Sequence, residues 1–289
     1  MITACAISDL HGTLPVIRWC NVVFICGDTF PLEIQRINTE CEAWFTTVFR
    51  DWVKSIPCKT VYIIGGNHCF WFERMGYDYI VNLINNTEGL AGKLVYLKDN
   101  LVETEEGITI YGCPYSTGPR GWAFISEDGS KYNNIPDCDV LLTHQPPKIG
   151  KLGCSYPDSK YERDFGSDVL RSIIDERNIQ YNFCGHIHTG EHKGLRLHGT
   201  KFYNVSLKDE DYRVSYEPLY VEIEPAHPKF TKHLEKVIGK SLDIAYDYIK
   251  EKVESEPTVE AQKETLFDTY IEYTNGYDVT LLNEIKSRI

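Results

Sequence analysis

The sequence predicts an α/β protein built as a two-sheet β-sandwich flanked by helices, with a helical C-terminal extension. Three observations carry this. Short β-branched and aromatic runs recur through residues 1–225, a long amphipathic segment separates the second run from the third, and beyond Pro225–Pro228 the apolar residues switch to helical spacing. The chain therefore divides into a domain over residues 1–225 and an extension over residues 226–289.

Ile2–Ile7 and Val22–Cys26 read as the first two strands. Glu33–Lys54 follows as a helix: Ile34, Ile37, Cys41, Trp44, Phe45, Val48 and Trp52 recur at helical spacing, with Pro31 ahead and Pro57 behind. Thr60–Ile64 is the third strand and Tyr77–Asn85 a shorter helix. Leu94–Leu97, Leu101–Thr104, Ile108–Tyr111 and Asp139–Leu142 are strands, and Asp168–Arg177 is a helix that Ser167 can cap. Tyr181–Cys184 is a strand, Glu191–Leu197 and Lys201–Val205 pair as a hairpin around His198-Gly199-Thr200, and Tyr216–Ile223 closes the domain. Strand–helix–strand followed by paired strands suits two stacked sheets with helices outside.

Five of these strands end in polar residues: Asp9-Leu10-His11, Gly27-Asp28, Gly66-Asn67-His68, Thr143-His144-Gln145-Pro146-Pro147 and Gly185-His186-Ile187-His188. Strands that end along one sheet edge bring such residues into one crevice. That crevice would hold Asp9, His11, Asp28, Asn67, His68, His144, His186 and His188, and imidazole with carboxylate suits borderline divalent metals. Eight groups exceed one tetrahedral ion, and a carboxylate can bridge two. The set therefore predicts a metal pair about 3.5–4 Å apart. A single histidine behind a strand is usually structural; five blocks in this order are not.

The ordered blocks resemble the calcineurin-like metallophosphoesterases. The stretches Gly112–Tyr115, Trp122–Phe124, Asp137–His144, Asn204–Leu207 and Asp209–Tyr212 are similar to the metallophosphoesterase-domain-containing branch. The resemblance implies that Asp9, His11 and His188 bind one divalent ion, that Asn67, His144 and His186 bind the other, and that Asp28 bridges them. The ions would be Mn, Fe, Zn or Ni. Catalysis would fall to Asp28, through the bridge, and to His68, which would protonate the leaving alkoxide or bind a non-bridging oxygen while a hydroxide bridging both ions attacks in line.

Composition narrows the partners. With 42% hydrophobic residues in 289, the chain can bury one substantial core. No run of about 18 apolar residues and no basic start with an apolar segment is visible, so neither a membrane contact nor a secretory signal is expected and the protein is expected in the cytosol. The ten scattered cysteines read as small buried hydrophobes of a reducing compartment. A formal charge of −12 without a basic stripe argues against long nucleic acid and for a small phosphate ester.

Substrate contacts are expected from Asn67 and His68, from Arg120, from Asn204, and from the aromatic stretch Phe70-Trp71-Phe72, where Trp71 is the stacking candidate; the alternative for these rings is packing beneath the loop. Lys148 and Lys151 are further phosphate candidates. His192 and His198 are expected to be exposed, and His227 and His233 carry no ligand spacing. Three amphipathic helices are expected in the extension, packing on the domain or serving as a homo-oligomer interface. The expected function is a dinuclear phosphodiesterase acting on small nucleotide-like or cyclic diesters. Phosphomonoesterase or protein phosphatase activity is the enzymatic alternative, and a non-catalytic metal-binding scaffold the other.

Overall fold

The computed structural model describes residues 1–224. The boundary at 225/226, the three C-terminal helices, His227, His233 and any oligomer contact through that extension lie outside the described residues.

Val22–Ile25, Thr60–Ile63 and Cys138–Thr143 are rich in aliphatic, β-branched and aromatic residues and buried at nearly every position, as strands covered on both faces are. In chain order the strands are β1 (Ile2–Ile7), β2 (Val22–Ile25), β3 (Thr60–Ile63), β4 (Leu94–Tyr96), β5 (Asn100–Glu103), β6 (Thr109–Cys113), β7 (Cys138–Thr143), β8 (Cys154–Ser155), β9 (Arg163–Asp164), β10 (Ile179–Cys184), β11 (Leu195–Leu197), β12 (Thr200–Asn204) and β13 (Leu219–Ile223). They form a five-stranded sheet, β13-β1-β2-β3-β4, a six-stranded sheet, β11-β12-β10-β7-β6-β5, and the small β8-β9 ladder. β1 to β4 are parallel, as are β6, β7, β10 and β12, while β13 and β5 run antiparallel to β1 and β6. The C-terminal ends of the parallel strands therefore gather on one edge of each sheet, where the polar blocks begin.

The core lies between the two sheets and follows the period of two that a pleated strand imposes. Ala4, Ala6, Val22, Phe24, Tyr62 and Ile64 of the first sheet and its strand ends join Ile110, Val140, Leu142, Tyr181 and Phe183 of the second in one buried cluster. The intervening residues Val23, Ile25, Val61 and Ile63 are buried as well, because helices cover the outer face. Nine of the ten cysteines are buried, and all ten are free thiols.

Two local expectations need correction. The first helix does not start at Glu33: Pro31–Ile37 forms turns, and the helix runs as α1 (Asn38–Trp44), a π-helical turn at Phe45–Phe49 and α2 (Arg50–Ser55). Thr46 and Thr47 donate their hydroxyls back to Glu42 O and Ala43 O at 2.8 and 2.5 Å, and this competition with the helical ladder accompanies the π turn. The aromatic stretch after His68 is helical rather than a loop, forming α3 (Phe70–Met75) ahead of α4 (Tyr77–Asn85). The later helix, α5 (Asp168–Asp175), is capped as expected, Ser167 Oγ accepting from Leu170 N at 3.1 Å.

Candidate metal centre

Each polar block leaves its strand through a tight turn. Asp9, His11, Asp28 and His186 all adopt left-handed backbone conformations, with φ between 42° and 68°. Non-glycine residues held there cost of order 1–3 kcal/mol each, and such strain concentrates at functional sites. The turns are tied together: His11 N donates to Asp28 O at 2.9 Å, Gly185 N to His144 O at 3.0 Å, and His186 N to the Asp9 carboxylate at 2.9 Å. Two glycines are required by close approach. A Cβ on Gly66 would collide with Asp28 Oδ1, and one on Gly185 with Ser8 Oγ and Asp9 Oδ2.

The side chains converge around Asp28. Its Oδ2 lies 3.1 Å from His144 Nε2 and 4.0 Å from His11 Nε2, so a single oxygen faces both halves of the cluster. Its Oδ1 accepts the His68 backbone N–H at 2.8 Å. On one side, Asp9, His11 and His188 can present ligand atoms to one ion, with Asp9 Oδ1 3.4 Å from His188 Nε2. On the other, Asn67 Oδ1 lies 2.8 Å from His144 Nε2 and 2.9 Å from His186 Nδ1. Asp9, Asp28 and His144 form a second group with metal-binding spacing.

Hydrogen bonding prepares these donors for cations. His144 Nδ1–H donates to Cys26 O at 2.9 Å and His188 Nδ1–H to Asp209 O at 2.8 Å, which leaves each Nε2 lone pair for a metal. Asp9 Oδ1 and both ring nitrogens of His11 are buried without a hydrogen-bond partner among the described residues. Buried polar atoms are rarely left so. Two divalent ions would satisfy them, and the mixed carboxylate, imidazole and amide donors suit such ions.

Burial pushes His11 down to about 4 and His186 to about 3, so both are neutral at pH 7, the form in which imidazole can bind a cation. Burial also lowers His144 and His188, but Asp28 beside the first and Asp9 beside the second outweigh it and lift both to about 9. The same contacts hold both carboxyls below the usual carboxylate range, against the effect of burial.

His68 lies at the mouth of the cluster. Its ring is 5.0 Å from that of His11 and 4.6 Å from that of Trp122, and Gln35 Oε1 is 2.7 Å from its Nδ1. Burial pushes it below the ordinary histidine range. The sequence did not single out Gln35, which looked like a polar position of a helix. Trp122 and Tyr212, whose ring stands 4.9 Å from His11 and 5.2 Å from His188, lie in stretches that resembled the family without suggesting a role.

The other expected substrate contacts are elsewhere engaged. Trp71 is 0% exposed and packs on Phe30, Phe45 and Phe72, because α3 turns that ring into the aromatic core. Asn204 is buried, donating to Ile187 O at 2.7 Å and Leu152 O at 3.2 Å, and so holds the histidine loop. Arg120 is 86% exposed in its side chain and pairs with Glu127, and Lys148 and Lys151 pair with Asp168 and with Asp158 and Glu162. His192, expected at the surface, is instead half-buried and stacked 3.5 Å from Tyr216, with its nitrogens on Gly190 O and Ser206 O. No helix among the described residues is long and apolar enough to cross a membrane.

Comparison with known proteins agrees with this geometry. The chain is 28% identical over 247 residues to metallophosphoesterase domain-containing protein 1 of Homo sapiens and of Mus musculus, covering 75% of this chain and 69% of the relative. It is 35% identical over 149 residues to a UPF0046 protein of Caenorhabditis elegans, a match over 50% of this chain that spans only 36% of that relative. A solved crystal structure 13% identical in sequence superposes with a TM-score of 0.52 over 78% of this chain and 100% of its own, so the fold is shared. Residues 2–190 match the family model described as calcineurin-like phosphoesterase, and the chain belongs to that family.

Proposed function

We propose that the protein is a dinuclear-metal-dependent phosphodiesterase acting on small nucleotide-like or cyclic diesters. The observation that carries this reading is the shared oxygen of Asp28, which faces His144 on one side and His11 on the other, between two sets of donors. When bound, two divalent cations supply an activated water and draw charge from the phosphoryl oxygens. The protein's own part is orientation. Asp28 fixes the spacing of the two donor sets, and the carbonyls of Cys26 and Asp209 hold His144 and His188 in the ligating tautomer. His68, held through Nδ1–H by Gln35, offers its Nε2–H to the ester oxygen that leaves or to a non-bridging oxygen.

Two features favour diesters. A monoester carries nearly two negative charges at pH 7 and a diester one, while the chain carries −12 overall. The basic residues nominated as phosphate contacts are engaged in ion pairs of their own. The test is a panel of bis-aryl phosphates, cyclic nucleotides, aryl monophosphates and a phosphoprotein, run with Mn, Fe, Zn and Ni. Diesters should show the higher kcat/KM. Faster monoester or phosphoprotein cleavage would reassign the protein as a phosphatase. Two bound ions with no turnover would make it a scaffold.

A further inference from the structure

A pocket of about 370 Å³ opens directly beside the second set of metal donors, with Asn67 and His186 in its wall. Further lining comes from the loop after β6, including Ser116, Thr117 and Trp122, and from Gln145 and Phe165. Small-molecule sites span about 300–1,000 Å³, so this one has room for a ring or a nucleoside.

Three observations describe its occupant. First, Trp122 and Phe165 both line the pocket yet remain 38% and 47% exposed, large apolar rings left open to solvent. Rings left so beside a polar centre are suited to stacking on a ligand ring, and this holds for any flat ring because each has a π-face. Second, Ser116 is 1% exposed and its hydroxyl has no hydrogen-bond partner among the described residues. A buried hydroxyl without a partner is costly, and a ligand with a polar edge would relieve it. Third, the floor is rigid. Gln145, next in sequence to His144, uses its whole carboxamide to hold the walls: Oε1 accepts from Thr117 N and from Tyr132 OH, both at 2.7 Å, and Nε2 donates to Phe165 O and Thr117 Oγ1, both at 2.9 Å. The pocket is therefore fixed to the same strand end that supplies a metal donor.

We propose that this pocket is the subsite for the organic group of the phosphate ester, a flat ring with a polar edge held between Trp122 and Phe165 and hydrogen-bonded to Ser116. The proposal rests on the phosphoesterase reading and goes beyond it by assigning the group that the site selects. It also moves ring recognition from Trp71, which is buried on α3, to Trp122 and Phe165.

The test is calorimetric binding of inorganic phosphate, phenyl phosphate and a nucleoside 5′-monophosphate to the metal-loaded full chain, with no turnover required. The nucleoside monophosphate should bind at least about 10-fold tighter than phosphate, the scale of one stacked base. Phe165→Ala and Trp122→Leu should remove most of that difference while phosphate still binds. Ser116→Ala, which only deletes the unpartnered hydroxyl, should weaken the nucleoside monophosphate more than phenyl phosphate. Phosphate binding without ring preference, or a preference that survives Phe165→Ala, would overturn the pocket assignment alone. Failure of all three ligands to bind would overturn the phosphoesterase reading beneath it.

Discussion

The side-chain oxygen of Gln35 lies 2.7 Å from Nδ1 of His68. An amide oxygen can only accept, so Nδ1–H donates to it, and the proton that His68 gives to a leaving oxygen is the one Nε2 carries in the imidazolium. The backbone N–H of His68 is held separately by Asp28 Oδ1 at 2.8 Å, so the ring depends on Gln35 for its orientation and the backbone does not. Gln35→Leu should keep the fold and the metal content while lowering kcat on alkyl diesters by up to about 10²-fold, the penalty for a misplaced catalytic group. Gln35→Glu, which still accepts from Nδ1–H, should recover most of the loss. Wild-type kcat in the leucine variant would remove the positioning role.

His68→Ala tests the group itself. Asp28 holds His68 by its backbone N–H and the ring is not among the proposed metal donors, so the variant should fold and retain two ions by elemental analysis. Turnover should fall by about 10²–10⁴-fold, the usual contribution of a general acid or base. A substrate with an activated leaving group needs less protonation and should lose less. Equal losses on both kinds of substrate would move the histidine's action to the non-bridging oxygens.

The parts of this molecule that were legible in its sequence are those encoded within short windows. A strand such as Val22–Ile25, buried on both faces, declares itself by composition, and a donor placed a few residues beyond a strand end, as in Gly27-Asp28, inherits its position from that strand. What the sequence hid depends on contacts between distant segments. Gln35 meets His68 across 33 residues because Pro31–Ile37 leaves the helical path. Trp71 faces inward because Phe30 and Phe45 build an aromatic core under α3, which a run of three aromatic residues cannot announce. Asn204 spends its amide nitrogen on the carbonyls of Leu152 and Ile187 while its oxygen accepts from Ser206 N, and only the folded loop shows these contacts.

Asp28→Ala probes the sharing of one carboxylate between two donor sets. Removing Oδ2 withdraws a donor from the His144 side and the His11 side together, and removing Oδ1 also frees the His68 backbone. The purified variant should therefore carry markedly less of both ions and show no esterase activity. Elemental analysis that still found two ions at wild-type occupancy would refute the bridging role.

Metal loading should release protons, and the pH dependence has a definite sign. In the metal-free protein His144 and His188 titrate at about 9, lifted by Asp28 and Asp9 against the effect of burial, so at pH 7 each carries an extra proton. A cation needs the Nε2 lone pair, so binding must expel both protons. His11 and His186, at about 4 and 3, are already neutral at pH 7 and release none. Loading at pH 7 should therefore release about two protons per chain from the imidazoles, with a further one from water activated by the ions, and apparent affinity should climb as pH rises toward 9 and flatten above it. Calorimetric metal titrations at pH 7 in buffers of different ionisation enthalpy count the protons directly. Release of no more than about one proton would mean that the two carboxylates are not balanced by imidazolium in the metal-free centre, and that its donors reach the cation already deprotonated.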